Sequence, residues 1–282
     1  MAGPPPEAKL RRVLPYQPHV SRGDVSPRRG AFLTEGHDHL VAFMVDAFQS
    51  LSADDQQGLV DYHRDSMPFG RIGTMCSGSD SIVHVEDAYR RALFRWRGVS
   101  FECEHVFAAE VDGRKREFLQ RHFPKMQHLF KDVTELQGDT ATCCMHGRVK
   151  TPSVSVLHKG FPCPDMSRLN QAARSGANSA AVRLAAGRTG GCFGAICEYY
   201  TKHISDSHFE LGLSENVTAL GDLKRQPYSN LDWCVYKYSL AGLWVKVFRI
   251  CPKRDLGQPV ARERLWFLEL PQILFDGASE MF

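Results

Sequence analysis

The chain has 282 residues, 43% of them hydrophobic, and a formal charge of +3. That is enough for one large domain with a small appendage, of ordinary globular composition. No run of about 18 apolar residues occurs, which excludes a membrane-spanning helix, and the first twenty residues hold no apolar core of the signal-peptide kind. The nine cysteines are scattered, odd in number and form no CxxC pair, so a disulfide framework is not expected and reduced thiols inside a cell are.

Residues 1–30 hold six of the fifteen prolines, with six basic against two acidic residues, and read as a disordered basic Pro-rich tail. The tail carries +4, so the remaining 252 residues sum to −1. The body is therefore not a broad basic surface, and nucleic-acid binding would need a local patch, the tail or a separate part. Residues 31–70 form an N-terminal helical segment. Leu40, Phe43, Met44, Ala47, Phe48 and Leu51 follow a helical period, with a second short helix near Asp54 to His63.

From residue 71 short apolar strands alternate with amphipathic helices: strands at 71–77, 105–110 and 127–133, with helices at 85–96 and 113–123 between them. A strand at 153–158 runs into GFPCPDMSRLN (160–170), a helix covers 192–204, and a strand covers 209–216. Residues 220–240 read as mixed and mainly helical, and strands at 243–250 and 264–270 close the pattern. Such alternation predicts a mainly parallel sheet with helices on both faces. Ligands of such sheets lie beyond the carboxyl ends of the strands.

The residues at those ends bear chemistry. After the first strand come Cys76, Ser77 and Gly78, small enough for close backbone approach and followed by a helix N-terminus; no G-x-G-x-x-G is present. Glu110 ends the second strand, where an acid can accept from ribose hydroxyls. Asp132 and Val133 end the third, suited to an adenine amine and ring. Together they point to a nucleoside-bearing cofactor, although each acid alone is more often a cap or turn. The fourth strand leads to Cys163, held between Pro162 and Pro164, whose rings stiffen the backbone. Glu215 and Asn216 follow in SENV, and Arg262 and Arg264 in ARERLW. Cys143, Cys144 and His146 form a possible zinc triplet, but adjacent cysteines suit a tetrahedral site poorly, and no metal is assigned.

Six stretches in this order, GTMCSGSDS, FAAEVDGRKREFLQRHFP, KDVTEL, GFPCPDMSRLN, SENV and LWVKVFRICPKRDLGQPVARERLW, resemble the motifs of the DNA (cytosine-5) methyltransferases over residues 71–270. The resemblance implies a Rossmann-like class I methyltransferase fold with a mainly parallel seven-stranded sheet and helices on both faces. It implies transfer of a methyl group from S-adenosylmethionine to carbon 5 of cytosine in DNA, through a covalent Cys163 adduct on a flipped base. By the same resemblance Cys76, Ser77 and Gly78 would lie against the methionine part of the cofactor. Glu110 would hold the ribose, Val111 would cover the adenine, Asp132 and Val133 would contact it, and Pro162 would frame it. Cys163 would be the nucleophile, Glu215 would bind the cytosine ring nitrogen and amine, Arg262 and Arg264 would support base and loop, and Ser167 would sit near a phosphate. A free thiol titrates at about 8.5, so nearby positive charge or a helix N-terminus is expected to favour the thiolate.

Departures from the family pattern fall at Thr74, where aspartate is common, at Asp80 and Ser81, where glycines are common, and at Pro164 and Val260. The family's target-recognition region and final helix have no counterpart after residue 270. The catalytic domain, 71–282, is therefore expected to lack them, or a protein partner to supply them; the helices at 36–65 are an alternative stand-in for the final helix. Two other readings stay open, a catalytically silent cofactor- or nucleic-acid-binding module and a tRNA cytosine-5 methyltransferase, so RNA remains an alternative to DNA as partner. A DNA substrate implies the nucleus in a eukaryote and the cytoplasm otherwise.

Overall fold

A computed structural model describes residues 14–15, 36–66, 69–167, 170–171, 180–203, 209–223, 227–255 and 261–272. The 1–30 tail apart from residues 14–15, and Val260, lie outside the described residues.

The hydrophobic alternation of the chain becomes one mixed sheet. Strands β2 (Phe69–Met75), β3 (Glu102–Ala109), β4 (His128–Phe130), β7 (Val156–Lys159) and β8 (Leu211–Val217) run parallel. β10 (Arg264–Pro271) lies antiparallel between β8 and β9 (Leu243–Ile250). The seven read in order β9-β10-β8-β7-β2-β3-β4. The expected count of seven is exceeded: a hairpin of β5 (Thr140–Cys143) and β6 (Gly147–Lys150) extends one edge, and the two-residue β1 (Leu14–Pro15) joins β9 at the other, making ten. No helix among the described residues is long and apolar enough to cross a membrane.

Side chains alternate across a strand, and here the two faces build separate cores. Phe107 and Ala109 of β3 face the main cluster, while Ala108 between them joins Leu119, Phe123, Met126 and Leu129 on the opposite side. That opposite face is covered by α3 (Ser81–Arg97) and α4 (Gly113–His122); the main-cluster face is covered by α5 (Gly187–His203) and α6 (Asn230–Leu240). Tyr199, Tyr200, Phe193 and Tyr238 are fully buried there, with Phe193 and Tyr238 edge to face at 4.9 Å, a geometry that adds about 0.5–1.5 kcal/mol beyond area burial. The helix α1 (Gly36–Gln49) packs along α3, and Val41 and Phe48 share a small core with Val60 of α2 (Ala53–Asp61), Ala88, Ala92 and Leu93.

Most predicted elements lie within a few residues of where the periodicity sets them. The largest differences are local. The third strand spans only His128–Phe130, because Asp132 caps a 3-10 turn (Val133–Gln137) by accepting from the Thr134 N–H. Helix in the 220–240 stretch is restricted to Asn230–Leu240, started by a capping box of Ser229 and Asp232.

Candidate active site

All four residues of β7 are buried, as expected of a central strand covered on both faces. The chain leaves β7 at Gly160 and turns at once. The Met166 and Ser167 N–H groups both donate to the Cys163 carbonyl, at 3.0 and 2.9 Å, and Asn170 Nδ2 donates to the Pro164 carbonyl at 2.9 Å. With prolines on either side, Cys163 sits half-buried on a closed, stiff turn. Asp165 of this turn accepts from the Thr189 N–H at 2.8 Å, tying it to the first turn of α5.

Gly187 makes that tie feasible. Its φ is +66°, and an added Cβ would stand 2.5 Å from Asp165 Oδ2. Gly187→Ala is expected to cost about 1–3 kcal/mol through backbone strain, read as a lower thermal midpoint together with faster alkylation of Cys163 as its turn loosens.

One strand over, β8 places Glu215 on the opposite face from buried Ser214 and Asn216. Asn216 Nδ2 donates to the Phe161 carbonyl at 2.9 Å, fixing the thiol turn against the strand that carries the carboxylate. Antiparallel pairing sets Trp266 of β10 opposite Glu215, and Arg264 reaches it with Nε 2.5 Å from Oε1. Burial pushes the Glu215 carboxyl above its ordinary range, offset in part by the charge of exposed Arg262. A carboxyl so shifted is suited to holding a proton.

The expected activation of the thiol is not what the free chain displays. Burial pushes the Cys163 thiol up, the Glu215 charge adds to this, and only its own backbone N–H and Arg262 act the other way. The alkylation rate of Cys163 by iodoacetamide is therefore expected to climb through a midpoint above that of a free thiol. Glu215→Gln removes a negative charge and should lower that midpoint; Arg262→Ala should raise it. Peptide mass spectrometry across pH checks both directions.

Across the cleft the loop after β2 is held by its own polar groups. Cys76 (φ +56°) and Asp80 (φ +51°) are left-handed although neither is glycine, as is Gly78 (φ +62°). Such strain clusters at functional sites. Thr74, where the resemblance leads one to expect aspartate, donates through its hydroxyl to buried Asp80 Oδ2 at 3.0 Å. Asp80 also lies 3.3 Å from His105 Nε2. Cys76 Sγ is 3.3 Å from Cys192 Sγ, and that contact, with burial, raises the Cys76 thiol well above its usual range.

Glu110 is buried and receives backbone N–H groups on both oxygens, from Gly78 at 2.8 Å and Asp112 at 2.9 Å. Val111 beside it is 57% exposed, an uncovered apolar surface. Asp132 uses Oδ1 for the Thr134 N–H and hydroxyl. The Val133 side chain is buried in the main core with Leu136. Ser77 links the loop to β3, its hydroxyl receiving the Ala109 N–H at 3.2 Å.

A cleft of about 340 Å³ runs between this loop and Glu215, floored by His158, Lys159 and Gly160 and edged by Leu213 and Trp266. None of its lining residues comes from 36–66, which border a different cavity with Met44, Tyr62 and His63. The sequence pattern sets Asn216 beside Glu215 without giving it a role; the places of Trp266 and Asp165 depend on strand register and on a contact across 24 residues.

No family model matches the chain. It is 35% identical over 102 residues to DNA (cytosine-5-)-methyltransferase DMT5 of Cryptococcus neoformans var. grubii, a match over 36% of this chain and 4% of that protein. It is 27% identical over 118 residues to DNA (cytosine-5-)-methyltransferase DMT5 of Verticillium dahliae, over 40% of this chain and 5% of that one. The matched region is thus a small fraction of the length of these relatives. Among solved structures it is similar to a Schizosaccharomyces pombe Dnmt2 methyltransferase (11% identity, TM-score 0.44, 72% of this chain and 50% of that one). It is also similar to a Spodoptera frugiperda DNMT2 mutant (14% identity, TM-score 0.45, 75% and 53%). By sequence, a little over a third of the chain is similar to a short segment of two fungal DNA (cytosine-5-)-methyltransferases.

Proposed function

We propose that this chain is the catalytic part of a cytosine-5 methyltransferase acting on DNA, using S-adenosylmethionine. The observation that carries the reading is the grouping of a stiffly held thiol, Cys163, with the Glu215–Arg264 pair, linked by the Asn216 to Phe161 hydrogen bond.

The residues fit the cofactor. The space beyond Gly78 is open, with no heavy atom within 4 Å of an added Cβ, so the backbone there is approachable. The backbone-oriented Glu110 carboxylate retains lone pairs for ribose hydroxyls, and exposed Val111 offers an apolar surface to a purine. Cys76, Ser77 and Gly78 would hold the amino-acid part and Asp132 the adenine amine. Pro162 would frame the group beside the thiol turn. When bound, it supplies an electrophilic methyl group.

Cytosine carbon 5 is a poor nucleophile, and the protein's task is to change that. Cys163, as thiolate, forms a bond to carbon 6, and the electron pair displaced from the 5,6 double bond enriches carbon 5. Glu215 donates its proton to the ring nitrogen and so stabilises the adduct. Arg264 holds the Glu215 carboxyl in place, and Arg262 lowers the thiol towards ionisation. Once carbon 5 carried the methyl group that the bound cofactor would supply, a base would take the carbon-5 proton, the sulfur–carbon 6 bond would break as the double bond re-forms, and the ring-nitrogen proton would return to Glu215. The target base must leave the stack, at a cost of a few kcal/mol in duplex DNA. A DNA substrate places the protein in the nucleus of a eukaryotic cell.

The test is methyl transfer from labelled S-adenosylmethionine to duplex DNA and to tRNA, with nucleoside analysis of the product. Label in 5-methyldeoxycytidine supports the reading. Label only in RNA moves the substrate to tRNA, and cofactor binding without transfer to either favours the silent module.

A further inference from the structure

Away from the cleft, at the edge of the sheet, three metal-ligating side chains meet that the proposed reaction does not use. His128 lies on β4, Cys143 ends β5, and His146 stands in the turn to β6. One donor atom of each lies within 4.8 Å of the other two. Cys143 Sγ and His146 Nδ1 are 3.5 Å apart. For metal–sulfur and metal–nitrogen bonds of about 2.3 and 2.0–2.1 Å at a tetrahedral angle, the ligand atoms should be about 3.5 Å apart. His128 Nδ1 is buried and has no hydrogen-bond partner, an arrangement native structures rarely leave unexplained. Cys143 is 2% exposed, and its sulfur receives the backbone N–H groups of Leu129 and Met145, each at 3.4 Å.

We propose that His128, Cys143 and His146 bind one zinc-class divalent cation, with a water on the exposed His146 side. A two-nitrogen, one-thiolate donor set selects zinc over magnesium or calcium, which take oxygen. The ion would clamp the β5–β6 hairpin to the sheet. That hairpin meets β4 through the single register pair Phe130↔Cys143 and the Cys144 N–H to Leu129 carbonyl bond of 2.7 Å. The site revises the sequence reading, in which Cys144 was weighed as a ligand beside Cys143 and His146. The structure turns Cys144 outward and brings His128 from another strand.

The test loads the purified full chain with Zn²⁺ in competition with a chromophoric chelator, and with Co²⁺ as spectroscopic stand-in. One equivalent is expected, with thiolate-to-cobalt charge-transfer absorption. His146→Ala, an exposed change that should leave the fold intact, is expected to weaken zinc by more than about 100-fold, beyond what loss of an outer-shell partner costs. Cys143→Ser should abolish the cobalt band, and Cys144→Ser should retain both metal and band. Zinc held no tighter by wild type than by His146→Ala would overturn the proposal, as would a cobalt complex without a thiolate band. Loss of the metal in Cys144→Ser would overturn the ligand set.

Discussion

Cys163→Ala is expected to lower methyl transfer by at least about 10⁴-fold, the scale on which enzymes lose activity when the covalent nucleophile is removed. The thermal midpoint should scarcely move. Cys163 is half-buried and its turn is closed by backbone hydrogen bonds on its carbonyl, which alanine keeps. Glu215→Gln should retain the contact with Arg264 in weaker form and lose the proton, costing about 10²–10⁴-fold, the usual range for a general acid. Single-turnover rates at saturating cofactor would separate these effects from binding. A Cys163→Ala protein within tenfold of wild type would remove the thiol from the mechanism.

The largest effect on stability is expected at Lys159, on the floor of the same cleft. Its ammonium and the Glu269 carboxylate form an ion pair with both side chains fully buried. Tyr200 donates to Glu269 at 2.6 Å, Ser214 donates to the other oxygen, and the Lys159 nitrogen lies 4.6 Å from the Tyr200 ring centroid. Burial lowers the Lys159 ammonium, and the Glu269 charge only partly restores it. Lys159→Met leaves a buried carboxylate without its counter-charge, expected to cost about 3–5 kcal/mol. At about 2–4 °C per kcal/mol for a chain of this size, the midpoint should fall by roughly 10 °C. Lys159→Met combined with Glu269→Leu should recover most of the loss, because the pair's own net worth is small. A single variant within 1 kcal/mol of wild type in urea unfolding would contradict this account of the network.

How much of this could be seen in the sequence follows from the range of the forces involved. The strands at 243–250 and 264–270 and the helices at 85–96 and 113–123 were legible because alternation and amphipathic periodicity are local signals. The candidate site was legible in outline because a parallel sheet gathers strand ends along one edge, so that residues as distant as Gly78, Cys163 and Glu215 could be grouped from topology alone. What escaped depends on long-range pairing. Lys159 read as the first residue beyond a strand, yet the strand continues through it and its partner is 110 residues away. The burial of Val133 depends on the 3-10 turn started by Asp132, which the strand pattern does not display. The β5–β6 hairpin was missed because its strands are four residues each and half exposed, too short for a period. The burial and the Glu215 charge that raise the Cys163 thiol against Arg262 depend on the packing of separate strands, which the local pattern does not display.

The most direct test of the central claim is a mechanism-based trap. The chain is incubated with S-adenosylmethionine and DNA carrying 5-fluorocytosine, whose carbon-5 substituent cannot leave as a proton, and the linked peptide is sequenced by mass spectrometry. The account predicts a covalent complex on the peptide containing Cys163, dependent on cofactor and absent in Cys163→Ala. Cofactor-dependent methylation of DNA with no linkage at Cys163, or the same adduct formed by Cys163→Ala, would contradict it.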